Sequence, residues 1–470
     1  MSNSHPAGAQ ASGRPALIRK LSFAAGVVAA FMAYGLPAYA QNNSQFALRD
    51  TETEEMLKSY EMPLARAAGL DLNLVHVYMI GDMSINAFAT QPEDIFINAG
   101  ILLWLKRPNE LVGVMAHETG HISAGHLSRF STGIQKAEIP MLLSLLIGVA
   151  AMIAGAGQAG MVIMGMGQSI AMGELTTFTR VQESTADQIA MKLLNATHQS
   201  PKGMMDTFER FAQEDAQHDV YYRPDPFASN HPVDQDRVSA LQDLADASPY
   251  YNVQDPPEVV HTFEMVQAKL AGFMLPVNEV MDRYPVSNTS ETARYARAMA
   301  YMRKPDFKAA LAEIDSLIKD EPNNPYFYEV RGQIYVSMAK PELGIPDYQK
   351  CVDLKPSAPQ LRLGLATAQL ATENPAVAGE ALKNLKAAAM VEDDDPGTWY
   401  ETAQAYSDLN NVPMANLSTA ELYYAVGDMQ KAIVFATRAR PGLSQGTPDW
   451  QRANDIIGAA GPLARQQRGG

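Results

Sequence analysis

The chain has 470 residues, 47% of them hydrophobic and 19% charged, with a formal net charge of −15. That length exceeds one ordinary domain, and the composition is that of folded protein rather than disordered chain. So acidic a body lacks the basic surface that displaces phosphate counterions, which argues against nucleic acid as a partner.

The first element is a targeting segment. Arg14, Arg19 and Lys20 precede the apolar run LSFAAGVVAAFMAYGL, and Ala-Tyr-Ala at 38–40 places small residues around a bulky one. This order is that of a secretory signal, so residues 1–40 are expected to be a signal peptide cleaved after Ala40. An uncleaved anchor is the alternative, for which the run is short. Gln41, not cysteine, would follow the cut, so no lipid anchor is suggested. Cys351 is the single cysteine, which forbids an intramolecular disulfide and leaves an exported chain to be held by packing alone. The thiol itself reads as a small buried apolar residue. A Gram-negative periplasm fits these features.

Residues 41–255 read as one unit. TETEEMLKSYEMPLARAAGL predicts a helix whose start is marked by Thr51 and Thr53 before acids. NLVHVYMI, SINAFAT and DIFINAG follow as short β-rich runs separated by GDM and QPE, which predicts an antiparallel meander. The next helix, from about Asn109 to His126, carries VMAHETGHISAGH. Beyond it, residues 139–173 contain no charge but seven glycines and six methionines. Gly155, Gly157 and Gly160 break this run near its middle. A helical hairpin that shields a site and touches a membrane surface is the expectation, with ordinary core or a true span as alternatives.

From about 256 the texture changes to Ala-rich helical pairs punctuated by proline. Pro322 and Pro356 stand 34 residues apart, the period of a tetratricopeptide repeat. The segment from Pro305 resembles that from Gly427, matching Ala310 with Ala432 and Leu311 with Ile433. Residues 256–470 are therefore expected to form stacked helical repeats, with an unrelated α-bundle as the alternative. The fold class expected overall is mainly α with a small antiparallel β-sheet.

Chemistry concentrates at His117, Glu118 and His121. Imidazoles four residues apart project from one helix face and can bind Zn2+, with Glu118 beside them to take a proton from an activated water. Two histidines hydrogen-bonded in a core are the alternative. RVQESTADQIAMKLL adds Glu183 and Asp187, also four apart, on a face continued inward by Ala190 and Leu194. Buried carboxylates are costly unless paired or metal-bound, so Glu183 is expected as third ligand and Asp187 as acceptor for a ligand imidazole N–H. A solvated acidic face is the competing reading. His126 falls off the ligand face and is expected to be a bystander.

HETGH followed by ESTAD resembles the gluzincin metallopeptidases related to CAAX prenyl proteases and HtpX. With RDTETE, INAFATQPEDIFINAG and NHPVDQDR, the resemblance is strong over about 45–240 and loose over the repeats. The signal peptide and repeats narrow it to the periplasmic beta-barrel assembly-enhancing type. It implies a zinc endopeptidase with one Zn2+ per chain. The implied clients are unfolded or misassembled outer-membrane β-barrel proteins, and the barrel-assembly machinery is an implied partner. It further implies that His231, in the His-Pro-x4-Arg element with Pro232 and Arg237, is a removable fourth ligand that keeps the enzyme latent. Arg237 would steady the transition state or a ligand. Asn230 departs from the Ser or Thr common in relatives. The strand at Asn86, Ala87 and Phe88 is expected to pair with an extended substrate, or else to be a plain structural hairpin. A repeat-based chaperone or assembly adaptor with a shut metal site is the competing function.

Overall fold

The computed structural model describes residues 47–90, 93–126, 179–217, 231–233 and 235–467. The expected signal peptide at 1–40 and the apolar segment at 139–173 lie outside the described residues. Among the described residues, no helix is long and apolar enough to cross a membrane. Two compact units emerge, one ending at Arg297 and one running from Ala298 to the end of the chain.

The first unit opens with β1 (Ala47–Leu48) and α1 (Thr51–Ala68). The start of α1 is capped by Asp50, which accepts from the Thr53 amide at 3.0 Å, so the threonines expected as start signals lie just inside the helix. Then come β2 (His76–Ile80), β3 (Ala87–Thr90), β4 (Asp94–Asn98) and the short helix α2 (Ala99–Trp104). The sheet order is β1-β2-β4-β3. The small sheet is present as expected, but it is mixed rather than an antiparallel meander: β2 pairs with β4 in parallel, and β3 pairs with β4 antiparallel. The cause is local. The GDM segment is not a tight turn, because the Asp82 carbonyl accepts from the Gly100 amide at 2.9 Å and Ser84 Oγ accepts from Asn98 Nδ2 at 2.9 Å. These bonds tie the connection to the far end of β4, so β3 is delivered to the outer side of β4 instead of folding back on β2.

The motif helix α3 spans Pro108–Ser123, with proline in its first turn and every side chain from Pro108 to His121 buried. Its neighbours are α1, β3 and α5. Helix α4 covers residues 179–196, α5 is Lys202–Gln217 and α6 is Gln235–Asp246. Helices α7 (Pro257–Met274), α8 (Val277–Arg283) and α9 (Glu291–Arg303) follow. Helix α7 packs on α1, α2 and α3, and Gln267 Nε2 donates to the carbonyls of Leu102 and Leu105 at 2.8 and 2.7 Å. Buried Lys269 pairs with Asp50 and, at 3.3 Å, with Glu52. These contacts explain why the compact division falls after Arg297 and not at the change of texture near 256.

The second unit is built from helical pairs: α10 (Phe307–Asp320), α11 (Pro325–Ser337), α12 (Pro341–Leu354), α13 (Pro359–Leu370), α14 (Pro375–Ala389), α15 (Pro396–Asp408), α16 (Val412–Ala425), α17 (Met429–Ala439) and α18 (Pro448–Gln467). Helices α10, α12 and α14 begin at 307, 341 and 375, a spacing of 34 residues each time. The next step, from α14 to α16, is 37 residues and breaks the strict period. Asn324, Asn374 and Asp395 cap helices whose first position is proline. Ala310 and Ala432 are fully buried, as close helix approach requires. Cys351 is buried against Tyr348 and Leu361. Arg331 forms a two-pronged pair with Asp347 at 2.9 and 2.6 Å.

Candidate metal centre

Three elements of the first unit deliver the site: α3, α4 and the His231–Val233 segment ahead of α6. The crossing of α3 with α4 is set by Gly120, where a β-carbon would lie 2.6 Å from the Ala186 carbonyl oxygen. Ala186 stands between Glu183 and Asp187, so this close approach brings both carboxylates over the histidine face of α3.

Nε2 of His117 lies 3.1 Å from His121 Nε2, 3.2 Å from His231 Nδ1 and 3.3 Å from Glu183 Oε2. One donor atom from each of His117, His121, Glu183 and His231 falls within 4.8 Å of the others. Asp187 Oδ1 stands 3.0 Å from His117 Nδ1. The negative charge there favours the imidazole tautomer with its proton on Nδ1 and a lone pair on Nε2. Nitrogen and oxygen lone pairs meeting at such distances repel unless a proton or a metal ion lies among them. This donor set of imidazoles and one carboxylate fits a metal of the zinc type.

Every member is buried: His117 is 0% exposed, Glu118 1%, Glu183 4%, Asp187 3% and His231 7%. Burial lowers the His117 pKa, but the Asp187 and Glu183 carboxylates outweigh it and raise the value to about 9. Burial lowers those of His121 and His231. The Glu118 carboxyl is raised, mainly by burial. For Glu183 burial acts upward, yet the three imidazoles draw the carboxyl well below its usual range. For Asp187 burial is likewise overcome, by Arg237 and His117.

Arg237 grips Asp187 with two bonds of 2.6 and 2.7 Å, and its third nitrogen lies 3.0 Å from Glu183 Oε2. The guanidinium rests 4.9 Å over the Phe208 ring, against which the His117 ring packs edge-on at 5.5 Å. His231 faces two ways: its Nδ1 joins the cluster, and its Nε2 lies 3.5 Å from Glu118 Oε1. That Glu118 oxygen is buried without a hydrogen-bond partner among the described residues.

The strand β3 is an edge of the sheet and packs on α3. The Asn86 carbonyl accepts from the Asn98 amide at 3.0 Å, so Asn86 sits at the ladder just before the strand. By alternation Phe88 also bonds toward β4, while Ala87 and Ala89 turn their backbone groups to the open side. The Ala89 amide engages Glu118. Ala89 closes the INAFA stretch expected from the sequence as the pairing strand, and its small side chain suits a strand lying close to a helix. His126 lies outside the ligand group, as expected, but it touches one of its members. Gly125, at φ +65°, turns the chain back after α3 and sets His126 Nδ1 3.1 Å from His121 Nδ1. It therefore stands behind His121 as Asp187 stands behind His117.

Residues 51–245 match Peptidase family M48. Similar proteins include the Beta-barrel assembly-enhancing protease of Escherichia coli K12, 24% identical over 411 residues, spanning 85% of this chain and 81% of that protein. The Metalloprotease LoiP of the same organism is 28% identical over 220 residues, 44% of this chain and 74% of its own length. The Mitochondrial metalloendopeptidase OMA1 of Schizosaccharomyces pombe is 27% identical over 168 residues, 36% of this chain and 45% of its own. His117, Glu118, His121, Glu183, Asp187, His231 and Arg237 all fall inside the matched span. The residues that build the site thus lie in the stretch similar to Peptidase family M48, and the chain is a metalloendopeptidase carrying a helical-repeat unit.

Proposed function

We propose that the chain is a zinc-dependent endopeptidase of the periplasm that removes misassembled outer-membrane β-barrel proteins. His117, His121 and Glu183 would hold the ion, one per chain. When bound, Zn2+ would supply Lewis acidity, polarising the scissile carbonyl and acidifying a water. Glu118 takes the proton of the attacking water and passes it to the leaving amine. Asp187 fixes the His117 tautomer, and Arg237 holds Asp187 and Glu183 in place, which favours a ligand-steadying role over contact with the transition state. An extended client would pair with the open edge of β3 through the Ala87 backbone and the Ala89 carbonyl, a contact that reads backbone and so admits many sequences. The observation that carries this reading is the convergence of His117 Nε2, His121 Nε2 and Glu183 beside Glu118.

His231 completes the cluster and also faces Glu118. In that position it would occupy the place of water and engage the base, which supports a latent state released when the 231–233 segment moves. The same contact favours a second reading, in which the repeats act as a chaperone or assembly adaptor while the site stays shut. The names of the relatives support β-barrel assembly as the setting. The repeat unit is suited to docking a client or the assembly machinery. Metal analysis beside a casein-cleavage assay tests the reading on wild type, Glu118→Gln and His231→Ala. One zinc per chain, cleavage abolished in Glu118→Gln and raised in His231→Ala are expected. Metal without cleavage in every form, with function retained in Glu118→Gln cells, would favour the adaptor.

A further inference from the structure

Helix α1 presents Leu57, Glu61 and Leu64 inward, and all three are 0% exposed. A carboxylic acid thus occupies an apolar face that packs on the motif helix α3. Glu61 Oε1 lies 2.8 Å from Thr119 Oγ1, and Glu61 Oε2 is buried with no hydrogen-bond partner. Thr119 directly follows Glu118, and its hydroxyl also lies 2.7 Å from the Met115 carbonyl oxygen one turn earlier.

A hydroxyl carries one proton, and here it meets two oxygens. The Met115 carbonyl can only accept. Both short contacts are therefore satisfied when Thr119 donates to Met115 and the Glu61 carboxyl donates to Thr119. The surroundings agree. Among the described residues Glu61 has no cationic partner, and an unpaired buried carboxylate costs far more than a buried acid. Lys269, the cation that α7 brings to α1, is taken by Asp50 and Glu52 at the start of the helix. His76 of the adjoining β2 is exposed and contacts Asp94. Tyr60, next to Glu61, is kept neutral by burial. Glu118 is the charged group that acts on Glu61. Burial raises the Glu61 pKa to about 8, and the Glu118 charge pushes the same way.

We propose that Glu61 is held as a neutral acid and is a positioning residue for the motif helix. Through Thr119 it donates into the turn that carries Glu118, and its neutrality keeps a second negative charge from the rear of that base. The protonation state stands on the geometry alone, whereas the role toward Glu118 rests on the peptidase reading.

Melting of the full chain as wild type and Glu61→Gln tests the proton. A raised folded pKa means that the native state keeps a proton which the unfolded chain has released. Wild type therefore loses stability as pH rises from about 4.3, the unfolded value, to about 8, and no further. The Tm of Glu61→Gln should gain on that of wild type by several degrees across this window and then level off. A gap that stays flat, or that widens in favour of wild type, overturns the proposal. If Glu61→Gln does not fold, infrared difference spectra of Glu118→Gln, which lacks the other raised carboxyl of the site, read the same proton between about pH 6 and about pH 9.5. Loss of a protonated-carboxyl band with its midpoint near 8 is expected, and its absence is contrary. For positioning, Glu61→Leu should lower kcat about tenfold with KM and bound metal unchanged, and Glu61→Gln should restore kcat. Unchanged kcat in Glu61→Leu, or loss of metal along with kcat, would refute that role. A wild type without peptidase activity would remove the peptidase reading and leave the proton result standing.

Discussion

A single methyl group at residue 120 would strain the contact on which the metal centre depends. In Gly120→Ala the new carbon would lie 2.6 Å from the Ala186 carbonyl oxygen and 3.1 Å from its α-carbon. Restoring ordinary contact requires the two helices to part by roughly 0.8 Å. Glu183 and Asp187 flank Ala186 in α4 and would move with it. Overpacking of this kind costs about 1–3 kcal/mol, and the better helix propensity of alanine offsets about 1 kcal/mol of it. A net loss of up to about 2 kcal/mol lowers Tm by up to roughly 8 °C for a unit of this size. The metal should feel more than the fold does. Metal–ligand distances tolerate shifts of about 0.2 Å, so displacement of Glu183 should weaken zinc binding by about 100-fold or more. Competition against a chromophoric chelator, run beside calorimetry, reads both quantities. Gly379→Ala in α14 is the control, because its added carbon meets nothing within 4 Å; it should be neutral or slightly stabilising and leave zinc affinity intact. Wild-type zinc affinity and Tm in Gly120→Ala would refute the argument that this crossing places the carboxylates.

Arg237→Lys removes the two-pronged grip on Asp187 while keeping the charge, and should reduce zinc affinity by about 10–100-fold in the same competition assay. His126→Ala should lower zinc affinity by about tenfold with little change in Tm, because His121 loses the partner of its Nδ1; an unchanged affinity would return His126 to the status of bystander. The depressed Asp187 pKa gives stability that is present above the unfolded value of about 3.9 and is lost as pH falls through the folded one. In chelated protein Asp187→Asn should therefore flatten the acid limb of the melting profile, and an acid limb identical to that of wild type would contradict the pairing.

The motif helix and the Glu183–Asp187 face were legible because four-residue spacing fixes which side chains share a helix face, whatever the rest of the chain does. The repeat period was legible for a similar reason, since α10, α12 and α14 each restate one local unit. The sheet was not. Its parallel pairing depends on bonds between Asp82 and Gly100 and between Ser84 and Asn98, residues well separated in sequence. The contact of His126 with His121 was not legible, because the backbone turns at Gly125 and a helical projection does not carry past it. Glu61 did leave a sign, a carboxyl set among Leu57 and Leu64 on an apolar face, but its proton could be assigned only once Thr119 and Met115 were placed beside it.

The central claim is that one ion sits among His117, His121 and Glu183. Anomalous diffraction at the zinc edge from crystals of the zinc-loaded chain reads this directly. The account predicts one peak per chain, about 2.0–2.2 Å from both imidazole Nε2 atoms and from a Glu183 oxygen. A peak that excludes Glu183, or zinc found only at surface carboxylates, would contradict it.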